Sequence, residues 1–115
     1  LNEMFALKQK GIFIQEFFKK RNIKTIAIYG FHYLGQRFYY EMLNSDIEIK
    51  YVIDRNKYLY NKYEIKVYGV EDNWDQVDIM VVTPIFEFYS IKSFIEKRIV
   101  CEVISIEDIL IEMYM

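Results

Sequence analysis

One cysteine (Cys101), one proline (Pro84), one histidine (His32) and four glycines are all that the 115 residues contain of these types. Each shortage removes a class of protein. A lone cysteine closes no internal disulfide, and its place in the apolar run "IVCEVI" suits a small buried thiol, as in a reducing cytoplasm. With one histidine beside it, the soft ligands for a protein-only zinc site are missing. No apolar run approaches the roughly 18 residues of a membrane span, and "LNEMFALKQK" has no basic-then-apolar signal layout. A soluble, cytoplasmic protein with no membrane span is therefore expected. Excess charge is lacking too: a formal net charge of −2 gives no general attraction for nucleic acid or an anionic membrane, so neither is an expected partner. Internal repeats and low-complexity segments are also absent. The chain begins with Leu1, which suits a piece of a longer polypeptide.

What the sequence has is apolar and aromatic mass, 53% hydrophobic and 18% aromatic, enough for one core but not for two ordinary domains. Residues 3–20 place Met4, Leu7, Ile14, Phe17 and Phe18 near a 3.6-residue spacing, an amphipathic helix with Asn2 as its cap and a break at Gly11. The following "KKRN" suits a helix C-terminus, where cations oppose the dipole and Asn adopts a left-handed conformation. "KTIAIYG" is a buried strand, and Leu34, Phe38 and Met42 mark a helix over 33–44. "IEIKYVID" is a second strand ended by Asp54. "RNKYLYNKY" reads as a surface loop, "EIKVYG" as a short edge strand, and "VEDNWDQV" as at most a short helix. "DIMVVTP" is a central strand, 86–98 a helix and "CEVISI" a last strand. Ser105 with Asp108 has the form of a capping box for a final helix, "EDILIEMY".

Alternation of this kind predicts an α/β fold: one Rossmann-like, three-layer domain with a parallel sheet of about five strands in the order 3-2-1-4-5. The division is an N-terminal helix over 1–22 and a nucleotide-binding domain over 23–115. A ligand crevice falls where the order reverses, beyond the C-terminal ends of the strands at 25–30 and 79–83.

At that crevice stands "YGFHYLGQRF". A dinucleotide fingerprint reads G-x-G-x-x-G, and here the row is Gly30-Phe31-His32-Tyr33-Leu34-Gly35, with His32 at the second glycine's place. Gly30 can make the turn and Gly35 can let the helix pack. His32 either contacts a phosphate or ribose from the side or fills the site and leaves a purely structural turn. Asp54 follows Gly30 by about two dozen residues, close to the spacing of a ribose-binding acid, or it caps the loop "DRN". Arg55 either meets a phosphate or is solvated. Thr83 and Pro84 border the same crevice, or Pro84 simply ends its strand. The eleven tyrosines, several of them clustered at 58–68, can stack on a base or form a partner surface, and the length of the cluster favours the surface. No Cys/His pair at useful spacing, G-x-S-x-G elbow, metal-ligand cluster or G-x-x-x-x-G-K-[ST] loop is present, so no catalytic set emerges.

The run "IKTIAIYGFHYLGQRFYYEML...IKYVIDRN", with "VYGVED", "DIMVVTP" and "VISIEDIL", resembles small Rossmann-like nucleotide-binding modules of bacterial polysaccharide-biosynthesis enzymes. Such modules precede sugar-nucleotide acyltransferases, occur in dehydratases, and accompany some methyltransferases and glycosyltransferases. The likeness spans about residues 23–110. It implies that Gly30 to Gly35 face a phosphate or sugar and Asp54 a ribose, with Thr83 and Pro84 at the opposite lip. The chain departs from the pattern at His32 and carries none of the accompanying catalytic domains. The expectation is a module that binds a nucleotide or nucleotide sugar, NAD(P) included, within a larger enzyme and beside a companion transferase domain. A ligand-free interaction domain, for instance a homodimerisation element, is the alternative, and an NAD(P)-dependent oxidoreductase a weaker one.

Overall fold

The computed structural model describes residues 14–114. In chain order the elements are α1 (Gln15–Lys19), β1 (Thr25–Tyr29), α2 (Tyr33–Met42), β2 (Glu48–Ile53), a 3-10 turn (Lys57–Tyr60), β3 (Val67–Tyr68), β4 (Ile79–Val82), α3 (Phe88–Glu96), β5 (Glu102–Ser105) and α4 (Ile106–Tyr114). All five strands run parallel in the order β3-β2-β1-β4-β5, as the alternation predicts. Tyr29 pairs with Ile53 on one side and Val82 on the other, while Ile53 faces Tyr68 and Val82 faces Ser105. The carboxyl ends of the strands thus finish in one row, and the chain leaves them on the same edge of the sheet.

The continuous apolar runs are what a sheet covered on both faces requires. Every residue of β4 is buried. Ile26, Ile28, Val52, Ile79 and Val81 face the layer of α1, α2 and α4, where Phe17, Phe18, Phe38, Met42, Ile106 and Ile109 meet them. Ala27, Tyr51, Ile53, Met80, Val82 and Val103 face the other layer, built from Ile91 and Ile95 of α3 together with Trp74. A bulge in the β1–β2 pairing sets this distribution: Ile26 pairs with Ile49 but Ala27 with Tyr51. Lys50 is the extra residue, so Ile49 joins one layer while Tyr51 joins the other. Tyr51 is fully buried, and its hydroxyl donates to the Asp75 carbonyl at 2.7 Å.

The N-terminal helix belongs to this core, since Phe17 and Phe18 are both almost wholly buried. Its expected first part, with the Asn2 cap and the Gly11 break, lies outside the described residues. Its C-terminus ends as "KKRN" predicts: Asn22 has φ 59°, and the Ile23 N–H donates to the Phe18 carbonyl at 3.0 Å. Arg21 stacks on the Phe17 ring and, with Lys20, pairs with Glu112, tying α1 to α4.

Two expectations are corrected, the surface loop and the capping box, and two are sharpened, the short edge strand and the segment read as at most a short helix. The loop over 55–63 contains a 3-10 turn whose Tyr60 is buried, because that ring packs on Phe31. The edge strand is only two residues long. Residues 70–77 form no helix and cross the sheet as irregular chain, held by side chains rather than by a helical ladder. The Ser105 hydroxyl caps α4 through the Glu107 N–H at 3.2 Å rather than that of Asp108, because the helix starts directly out of β5 at Ile106. Among the described residues no helix is long and apolar enough to cross a membrane.

Candidate functional site

The turn after β1 is set by two glycines. Gly30 has φ +94°, where a side chain is strained, and a Cβ there would lie 2.7 Å from Thr83 Oγ1 and 2.8 Å from Pro84 Cδ. Its N–H donates to the Ile53 carbonyl at 2.8 Å, and its own carbonyl accepts the Thr83 hydroxyl at 2.7 Å. Thr83 is therefore the peg that joins the turns after β1 and β4, and it is buried in that role. At Gly35 a Cβ would stand 2.1 Å from the Gly30 carbonyl oxygen, so α2 can lie on the turn only with glycine there. Both glycines do what the spacing predicts.

Phe31 is different. Its side chain is fully buried, turned into the core against the edges of Tyr39, Tyr60 and Tyr63 at ring distances of 5.5, 5.2 and 5.0 Å. Burying such a ring contributes about 1.5–3 kcal/mol. The structure thus places Phe31 beneath the turn as its anchor and not on the crevice wall. Its carbonyl accepts from Gln36 Nε2 at 2.9 Å, and Gln36 Oε1 accepts the Tyr63 hydroxyl at 3.1 Å. Burial within this aromatic group raises the pKa values of Tyr39, Tyr60 and Tyr63, which keeps the three phenols neutral.

Asp54 works in two directions. Oδ1 accepts the Asn56 N–H at 2.9 Å, the cap of the "DRN" loop, while Oδ2 accepts the Phe31 N–H at 2.8 Å and so staples the glycine turn to the end of β2. Each oxygen keeps a second lone pair for another donor. Arg55, next in sequence, is exposed and forms no ion pair among the described residues.

His32 is the N-cap of α2, with extended backbone, and its side chain makes no cap bond. It is exposed and does not plug the crevice. Asp54, on the Phe31 N–H, brings one carboxylate to the approach of α2, while the helix's own first turn carries no acidic residue beside its free N–H groups. An open cleft of about 770 Å³ lies before them. Gly30, His32, Tyr33, Leu34, Asp54, Arg55, Thr83 and Pro84 line it; of the ten residues singled out in sequence, only Phe31 and Gly35 stand behind the wall.

The cleft also has residues that the spacing argument missed, Tyr29, Val70, Glu87 and Ile91, and it takes Tyr60 from the tyrosine cluster. Tyr29 was within reach, since it is the strand residue directly before Gly30. Val70 and Ile91 are brought in by the irregular crossing and by α3, whose placement no local pattern records. A second groove of about 440 Å³ continues along α3 and shares Tyr29, Arg55, Val70, Glu87 and Ile91 with the first, adding Ser90 and Phe94. Its floor is held by Arg98, which lies over Trp74 and Phe94 and donates to the carbonyls of Val70 and Asp72 at 2.9 and 2.8 Å. Asp72 in turn accepts from the Gly69 N–H at 2.6 Å and pairs with Lys57 at 2.9 Å, and these two donors, Lys57 first, hold its carboxyl below the usual range.

No protein-family model, curated protein or solved structure matches the chain.

Proposed function

We propose that this chain is a nucleotide- or nucleotide-sugar-binding module of a larger polysaccharide-biosynthesis enzyme and performs no chemistry alone. The observation that carries the reading is the open cleft at the reversal of strand order, where the uncapped start of α2 meets Gly30, Asp54 and Arg55. An anion at that helix start would gain free N–H donors and the dipole, and Arg55 supplies an exposed cation on the same cleft. The polysaccharide class rests on the sequence resemblance alone. Thermal-shift and calorimetric titration with NAD, NADP, UDP-sugars, S-adenosylmethionine and coenzyme A tests the reading. Stabilisation by at least one of them is expected, and silence from all at millimolar concentration overturns it.

A second reading, a ligand-free interaction domain, draws on exposed aromatic side chains. Tyr58, Phe86 and Tyr89 are 76%, 102% and 84% exposed. A mass that rises with concentration in sedimentation, with no nucleotide response, is its signature. A monomer at high concentration counts against it.

A further inference from the structure

Tyr29 ends β1 at the centre of the sheet and lines both the cleft and the groove beside α3. Its ring is held edge-on to Trp74 at 6.2 Å, and its half-buried hydroxyl has no hydrogen-bond partner among the described residues. Three other tyrosines spend their hydroxyls on protein acceptors: Tyr51 on the Asp75 carbonyl, Tyr63 on Gln36, and Tyr68 on the Asp75 carboxylate. The Tyr29 side chain is thus held against Trp74, carries a free donor, and lines both the cleft and the groove. Burial raises its pKa, opposed by Arg55 and Arg98 and assisted by Asp54 and Glu87, so it stays a neutral donor.

The groove around it carries charges of both signs, Arg55 and Glu87, between apolar walls from Val70, Ile91 and Phe94. A second phosphate would meet Glu87, and an ammonium group would meet Arg55. A neutral ring with donor and acceptor edges fits both. No residue of the 30–35 turn lines this groove, so what binds there is a different part of the ligand from what the start of α2 receives.

We infer that Tyr29 is a specificity-determining residue, its hydroxyl donating to the neutral ring moiety of a nucleoside diphosphate whose phosphates sit at the start of α2. The inference rests on the nucleotide reading above and adds the residue and the subsite that read the non-phosphate part. The test compares the unaltered chain with Tyr29→Phe, using UDP-glucose and NAD as complete probes and inorganic pyrophosphate as the phosphate part alone. Binding is followed by the emission of Trp74, the one tryptophan of the sequence, and by calorimetry. Tyr29→Phe keeps the ring against Trp74, and an unchanged melting temperature verifies its fold. The expected result is a loss of about five- to tenfold in affinity for the nucleotide that binds, with pyrophosphate affinity unchanged. Equal affinities for both chains overturn the role of Tyr29 while leaving the nucleotide reading standing. An equal loss on pyrophosphate also overturns it, since the effect would then pass through the turn. If the unaltered chain binds none of the probes, the nucleotide reading falls and takes the inference with it.

Discussion

Between Gly30 and Gly35 the backbone is held by contacts that admit no added atom, whereas between Gly69 and Val77 it is held by side chains reaching back to the main chain. In the first region the close partners are backbone and buried groups: the Gly30 carbonyl against α2, and Thr83 and Pro84 against Gly30. In the second they are Asp72 on the Gly69 N–H, Trp74 Nε1 on the Gly69 carbonyl, and Arg98 on the Val70 and Asp72 carbonyls. Both regions bring chain to the same cleft. One is fixed by what is missing from the side chains, and the other by what the side chains carry.

The largest effect is expected at Gly35. Gly35→Ala puts a methyl 2.1 Å from a carbonyl oxygen that is itself pinned by Thr83, so α2 must lift from the turn. Urea unfolding should show a loss of at least about 3 kcal/mol, or no folded protein. A loss under about 1 kcal/mol would mean that the turn yields and that the difference between the regions is smaller than the contacts suggest.

The same difference explains what could be read in sequence. Gly30 and Gly35 stand out because only glycine serves there, and their spacing is a pattern visible without coordinates. The parallel order was legible for a related reason: "TIAIY" and "IMVV" are apolar on both faces, which a half-solvated strand is not. The crossing left no such trace. Arg98 reaches the crossing through hydrogen bonds to Val70 and Asp72 and a ring contact with Trp74, all far from it in the chain, and neither period 2 nor period 3.6 records them. The inward turn of Phe31 was hidden as well, since its partners Tyr60 and Tyr63 lie in a segment with no clean period.

A middle-sized effect is expected at Arg98. Arg98→Ala removes two hydrogen bonds to crossing carbonyls and the guanidinium over Trp74 and Phe94. Water can replace the bonds at this exposed position, so the loss should be about 1–2 kcal/mol. Trp74 emission should shift to the red as its ring gains water. Unchanged stability and emission would show that the apolar contacts of Trp74 hold the crossing without the arginine.

The smallest effect is expected at Gly69, and it separates the two regions most cleanly. Its φ is not in the left-handed range, and a Cβ there would meet Lys57 Cδ at 3.3 Å and Asp72 Oδ2 at 3.4 Å, side-chain and not backbone atoms, which need give by no more than a few tenths of an ångström. Alanine also narrows the unfolded ensemble, which offsets a small contact cost. Gly69→Ala should therefore change stability by no more than about 0.5 kcal/mol, beside the several expected at Gly35. If it costs as much as Gly35→Ala, the crossing is as tightly built as the turn. Its irregular path would then be a constraint of backbone packing and not of the side chains that hold it.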